Sequence, residues 1–539
     1  MLLSDTTLTL LGSRLRFSTD KLANTFLFRG ELTEVWSLDL GSVVPLATLL
    51  VHGQYRGSAV RTRTFAIRDD ADALIRYEQP LAFDTSLSVI VAHTVALSQD
   101  SRAIGLNRLM QLGLSGGMQW KQHYSTWQPF EQISARLLGG WESNEQLSIS
   151  DYGWSLMGAV SAKNLNLEGY TISADVSGFQ TNLSNTRINS QLTSRIAINR
   201  RFDGDAYLEV LAQYTGLERD FYVMVQQGVS TELAVEKRLE RLFRMNTRFV
   251  LPILKNVDAE MQGFVETWAV GRQYGRPLDR VPLTAVRRDI DQLRFSINTT
   301  LRAQLFSGFH ALGFSVDNRN EANRIVERFP IADIDVQSLR NAEMQRDNIS
   351  VRWTLWAQTT LPLSLDDSLR VEYSTSLLRY DTPSILNNDD RDELFINLHS
   401  AYTHSFSHIL SCTILAEMRL AHLVFIKAQR SAQNNWNRII RLAPYMSIRS
   451  SGVELRPQFE VLANYTSFDF EDVVGTVQSF SLRQIAYRDS IRILVTSGTA
   501  LESRLLFRYF ERGEFRWREF SETPRDRNIE AFVQMLCLV

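Results

Sequence analysis

Three groups of residues have the types that chemistry requires. Gly113-Leu114-Ser115-Gly116-Gly117 spells G-x-S-x-G, the nucleophile elbow of α/β-hydrolases, which works only where a strand turns sharply into a helix. The residues that follow, MQWKQHYSTW, have no helical face, so the stretch reads as a glycine-softened strand or turn. His404 and His408 flank a short turn, with His399 and His422 nearby. A metal site needs three or four converging ligands, but His399 alternates to a different face from His404 and His422 falls near the far end of its strand. These read as polar turn and interface histidines. The run Asn387-Asn388-Asp389-Asp390-Arg391-Asp392-Glu393 clusters carboxylates without the spacing of a calcium loop. It reads as a solvated surface loop, as do Asp469, Glu471 and Asp472. The expectation is no enzyme, no catalytic set, no metal and no cofactor.

A fourth set is distributed rather than clustered. Residues 455–472 read LRPQFEVLANYTSFDFED. Leu455, Pro457, Phe459, Val461, Ala463 and Tyr465 alternate with Arg456, Gln458, Glu460, Leu462, Asn464 and Thr466, the period of a strand with one apolar and one polar side. The preceding NRIIRLAPYMSIRSSG (437–452) alternates likewise, and Ser450, Ser451 and Gly452 make the turn of a long hairpin. SVRWTLWAQTTLPL (350–363) and LRVEYSTSLLRY (369–380) form another, joined through Asp366 and Asp367. A third turns at Asp203 and Gly204, and its second strand carries LEVLAQYT (208–215), which matches FEVLANYT (459–466) at six of eight positions. On the polar parity of these strands fall Arg195, Glu209, Arg352, Arg370, Glu372, Arg441, Arg449, Glu454, Arg456 and Glu460. A charge facing lipid near mid-membrane costs about 2–4 kcal/mol, so in a membrane this parity must face a lumen. There the charges either line a selective pore or cross-link one another.

Composition narrows the classes. Lys+Arg number 58 against 60 Asp+Glu, a net charge of −2, which gives no electrostatic case for nucleic acid. The cations are nearly all arginine, with only six lysines; arginine suits a crowded polar interior because its planar fork pairs well when partly desolvated. The two cysteines, Cys412 and Cys537, make neither a disulfide framework nor a zinc site. The best apolar run, LSVIVAHTVAL (87–97), is interrupted by His93 and Thr94 and is shorter than the ~18 residues of a membrane helix. The start, MLLSDTTLTLLGSRLRF, lacks a basic segment and a small-residue cleavage site, and the expectation is a chain truncated or internally started relative to a longer gene.

Strands this long, repeated hairpin after hairpin, exceed the ~5–6 residues usual in globular proteins. Propeller blades need short strands, and a sandwich would leave edges and too much sheet to cover. A closed barrel in lipid removes the edges and satisfies every backbone group. The hairpin turns are short, while connections at 270–290, 317–349, 381–393 and 426–435 are long and charged. The pattern resembles bacterial outer-membrane β-barrel proteins, whose barrels combine short periplasmic turns with long extracellular loops.

The resemblance implies an all-β fold: a single large antiparallel transmembrane β-barrel over residues 1–539 with roughly 22 strands, between about 18 and 26. It implies a channel, transporter or receptor for a polar solute, in contact with outer-membrane lipid. The alternative is a non-conducting barrel whose long loops bind a surface or periplasmic protein. Trp436, Tyr465 and Tyr214 lie far from their short turns, where an outer aromatic girdle sits. Pro362, Pro444 and Pro457 run against the pattern, since a closed barrel has no free strand edge. On this face assignment Val461→Arg destabilises the fold and Glu460→Gln leaves it intact.

Overall fold

The computed structural model describes the backbone of strands from Thr6 to Leu538, interrupted chiefly at 101–106, 124–130, 275–286, 327–332 and 472–477, and side chains from residue 73 onward with further breaks. The Cys537 side chain and Asp472 lie outside the described residues.

Alternation of one apolar and one polar residue dictates extended strands, and the strands pair in the order the chain makes them. A single sheet contains 26 strand segments, and every pairing in it is antiparallel. Val453–Leu455 and Gln458–Phe468 both pair with Asn435–Ser450 on one side and Phe480–Thr496 on the other. They are one strand interrupted at Arg456 and Pro457, so the 26 segments amount to 25 strands. The meander curls into a large barrel-like fold; no described ladder joins the first strand to the last.

The strands are longer than the expected ones. Ser230–Leu254 has 25 residues and Tyr207–Gln227 has 21, against the ~9–11 that cross a bilayer core. Charged segments assigned to connections from their polarity are therefore partly strand. The four long connections contract to 275–286, 327–347, 382–390 and 426–434, all at one end of the meander. At the other end the turns include 168–169, 255–256, 306–307 and 451–452. Gly204 takes φ 77° inside the turn Asp203–Asp205, a conformation glycine adopts without penalty. The connection 327–347 also holds a helix, Asp333–Met344, tied to the wall by Arg288 Nη1 and Glu343 at 3.1 Å.

Burial along the strands is inverted relative to a water-soluble protein. Leu137, Trp154, Leu156, Val160, Ile440, Leu442, Phe459, Val461 and Ile485 are exposed, while Glu142, Glu260, Glu417 and Glu460 are buried. Large side chains exposed on one parity and carboxylates buried on the other are what lipid outside and a crowded polar interior require. The repeated octapeptide keeps its orientation: Tyr214 and Tyr465 are in register with apolar-parity neighbours, opposite Phe243 and Ser481 respectively.

Two of the anomalous prolines turn out to be one feature. The ladder between Asn435–Ser450 and Gln458–Phe468 is continuous from Asn435↔Phe468 to Leu442↔Val461, lapses, and resumes at Tyr445↔Gln458. Pro444 sits in that lapse, opposite Phe459 by register, and Pro457 lies just past the rung that ends it, accepting a hydrogen bond on its carbonyl from Met446 N at 3.0 Å. Residues that cannot donate are thus placed where no donor is called for, and the register is the same on both sides of the gap. Pro362 ends its strand, Asn348–Pro362.

Candidate functional site

The polar parity carries the only extensive chemistry among the described residues, an ion-pair lattice that crosses strand boundaries. Its most connected part is built on Glu460. Arg441 lies one strand away and reaches Glu460 Oε2 with Nη2 at 2.7 Å and Nε at 2.9 Å. Arg488, on the strand beyond, donates Nη1 to the same oxygen at 3.3 Å, and Gln484 donates to Oε1 at 2.8 Å. Arg441 also contacts Glu417 Oε2 at 3.4 Å, and Arg419 pairs with Glu417. Glu460 is only 3% exposed; an ionised carboxylate is tolerable there because each oxygen is met by donors.

A second cluster surrounds Glu260. Arg248 donates Nε to Oε1 at 2.7 Å, Gln262 donates to the same oxygen at 2.6 Å, and Arg302 pairs with Oε2. The third has an arginine at its centre. Arg187, 1% exposed, donates Nε to Asp151 Oδ2 at 2.7 Å, Nη1 to Gln146 Oε1 at 3.3 Å and Nη2 to Asn144 Oδ1 at 3.1 Å. Its guanidinium also lies 4.4 Å from the centre of the Tyr222 ring. Gln146 meanwhile binds the Tyr222 backbone in both directions, accepting from N at 2.9 Å and donating to O at 3.1 Å. This group ties the strand Tyr207–Gln227 back to the strands Gln132–Gln146 and Ile149–Leu167, near the end that bears the long connections.

Of the ten charged residues singled out by parity, the structure brings together Arg441 with Glu460, Arg370 with Glu372 (Nε to Oε1, 2.6 Å), Arg449 with Glu454 (3.2 Å) and Arg456 with Glu454. Arg352 stands opposite Asp317, Arg195 opposite Asp175 and Gln213, and Glu209 opposite Asn199 and Arg248. Glu142, Arg187, Glu260, Glu417 and Arg488 were not singled out. Each lies on the alternating polar parity of its own strand, so extending the same count to LLGGWESNEQ and CTILAEMRLAH finds two of them.

The discrete motifs resolve differently. Ser115 lies within the strand Asn107–His123, which continues to His123 beyond it. A Cβ at Gly117 would come within 2.0 Å of the Leu137 carbonyl oxygen, and one at Gly140 within 2.2 Å of that of Leu114, so these glycines serve close strand approach. His404 Nδ1 is 2.7 Å from Asp367 Oδ1, His422 Nε2 is 2.9 Å from Asp469 Oδ2, and His399 Nδ1 is 3.8 Å from Glu372. They form separate pairs, and His422 also stacks on Trp436 at 4.1 Å.

The acidic run 387–393 is not the solvated loop expected. Asp389 pairs with Arg430 and with Arg391 (3.2 Å), and Asp390 pairs with Lys427 at 3.3 Å. Asp390 Oδ1 also accepts from Thr382 N at 2.7 Å and from its hydroxyl. Asn387 Nδ2 donates to the Gln345 carbonyl at 2.6 Å. Three of the long connections are therefore clasped to one another. Burial alone would raise the Asp390 carboxyl, but the two Thr382 donors and the Lys427 ammonium outweigh it and hold the group below the ordinary aspartate value. Glu471, likewise read as solvated, accepts from Ser479 N at 3.0 Å.

No family model and no curated protein matches the chain. Among solved structures it is similar to a copper transporter, OprC, with 10% identity and a TM-score of 0.48 over 99% of this chain and 81% of that one. It is similar to the ferric-catecholate import receptor Fiu of E. coli K12, with 7% identity and a TM-score of 0.42 over 96% and 81%. It is also similar to the siderophore receptor PiuA of Acinetobacter baumannii, with 7% identity and a TM-score of 0.44 over 100% and 82%.

Proposed function

We propose that this chain is a barrel of the bacterial outer membrane that passes or receives a polar solute. Its apolar parity faces lipid, and Arg195, Glu209, Arg352, Arg370, Glu372, Arg441, Arg449, Glu454, Arg456 and Glu460 face the lumen. The observation that supports this reading is the inverted burial: carboxylates such as Glu460 and Glu260 are buried among arginines while Phe459, Val461 and Leu442 are exposed. A barrel with so many strands is wider than its own side chains fill, and mixed-sign walls present paired donors and acceptors to a polar solute rather than a field of one sign.

The test is single-channel recording from purified protein in a planar bilayer. Discrete conductance steps that change with Arg441→Gln or Glu460→Gln are expected. Absence of conductance at any voltage, with correct insertion shown by protease protection, would favour the non-conducting barrel whose clasped loops bind a surface or periplasmic protein.

A further inference from the structure

The ladder break at Pro444 and Pro457 coincides with a cavity of about 540 Å³, within the range of small-molecule sites. Its walls include Arg456, at the interruption between two strand segments, Arg488 and Arg504 on the two strands that follow, and Tyr445, Leu415 and Leu506. Arg488 and Arg504 lie on the polar parity of their strands, and the side chains of all three arginines are substantially solvent-accessible, between 45% and 61% exposed.

Their carboxylate partners do not saturate them. Arg456 is bound to Glu454, which also serves Arg449. Arg488 has one 3.3 Å contact to Glu460, an oxygen already held more closely by Arg441. Arg504 approaches Glu502 only to 3.8 Å, and Glu502 is shared with Arg492 at 3.6 Å; both separations exceed a hydrogen bond. Each guanidinium carries five N–H donors, so donors outnumber nearby acceptors. Asp489 also borders the cavity, but its Oδ2 accepts from Tyr487 at 3.4 Å, on the opposite parity from Arg488.

We infer that this pocket binds an organic anion bearing two carboxylates on an apolar body. Guanidinium forks match carboxylates in plane and charge, the separated arginines accommodate two such groups, and Leu415, Leu506 and the Tyr445 ring face the carbon framework. A cation is repelled, and a neutral analogue gains no charge-assisted bond. The inference rests on the reading of this face as the lumen and adds a substrate class to it.

The test is equilibrium dialysis of the full chain, folded in detergent, against isophthalate, its neutral diamide and poly-glutamate. Saturable isophthalate binding is expected, with no diamide binding, roughly tenfold weaker binding for both Arg504→Gln and Arg488→Gln, and unchanged affinity for Arg379→Gln. Circular dichroism and the thermal transition identify variants that fold. No isophthalate binding by folded wild type, or affinity indifferent to Arg504→Gln, overturns the inference, as does binding of poly-glutamate alone, which would assign the pocket to a polypeptide. A barrel that conducts without binding isophthalate loses this inference and keeps the transport reading; one that binds without conducting does the reverse.

Discussion

Arg441 Nη2 lies 2.7 Å from Glu460 Oε2 across the hairpin, from a position inside the continuous ladder, Arg441↔Leu462, to the first residue of the lapse that holds Pro444. The paired rung Leu442↔Val461 lies between the two residues, and Arg441 continues the connection to Glu417 on the next strand. The ion pair adds a side-chain link at the edge of the lapse, while Glu460 stays laddered to Ala486 on its other side.

Glu460→Gln should therefore leave the fold intact but carry a cost that parity alone does not indicate. The amide keeps the Gln484 contact but leaves Arg441 and Arg488 facing a neutral group. The expected loss is about 1–3 kcal/mol. Arg449→Gln, which removes an exposed partner of Glu454, should cost under about 1 kcal/mol. Denaturant titration of both variants in the same detergent checks the ordering; equal losses would mean that Glu460 is solvated in the membrane.

The neighbouring residue tests the other face. Val461 is 41% exposed on the apolar parity opposite Leu442 and Ile485, and Val461→Arg should cost about 2–4 kcal/mol if it sits near mid-membrane. Insertion and stability equal to wild type would reverse the face assignment.

How far the sequence shows all this depends on the range of the interaction. Strand periodicity is local, so the hairpins at 435–468 and 348–381 and the placement of Val461 and Glu460 on opposite faces are visible in the letters. The partner of each charge is not, because it depends on register between strands. Arg456 shares the polar parity of Glu460 and lies four positions from it, yet it pairs with Glu454, while Arg488, twenty-eight positions away, reaches Glu460. The loops were least legible. Lys427 and Arg430 are distant in sequence from the acidic run they neutralise, and no periodicity links one connection to another.

The loop clasp should be acid-labile. Asp390 has a folded-state pKa below its ordinary value of about 3.9. Its contribution is thus fully present above that ordinary value and is lost as pH falls through the lower folded value. Hydrogen exchange over 382–390 and 426–434 should quicken below about pH 4 while the strands stay protected. Asp390→Asn should show fast exchange in these segments at neutral pH; unchanged protection in that variant would remove the clasp as their restraint.

Arg187 makes the sharpest prediction, because it is the most completely buried cation among the described residues and its partners come from three strands. Replacing it by glutamine leaves Asp151 buried without a counter-ion and withdraws donors from Asn144 and Gln146. Breaking a buried pair in this way costs about 3–5 kcal/mol. The loss should be local, since Arg187 fastens the hairpin of Tyr207–Gln227 and Ser230–Leu254 to its neighbours while the ladders below it, from Ser190↔Glu218 onward, do not depend on it. Limited proteolysis should then cut near 222–236 in Arg187→Gln and not in wild type, with β-sheet circular dichroism unchanged. The double variant Arg187→Leu/Asp151→Leu removes both charges together and should recover much of the resistance. If the double variant were as susceptible as the single one, the Tyr222 ring and the side-chain amides, rather than the ion pair, would be what anchors the hairpin.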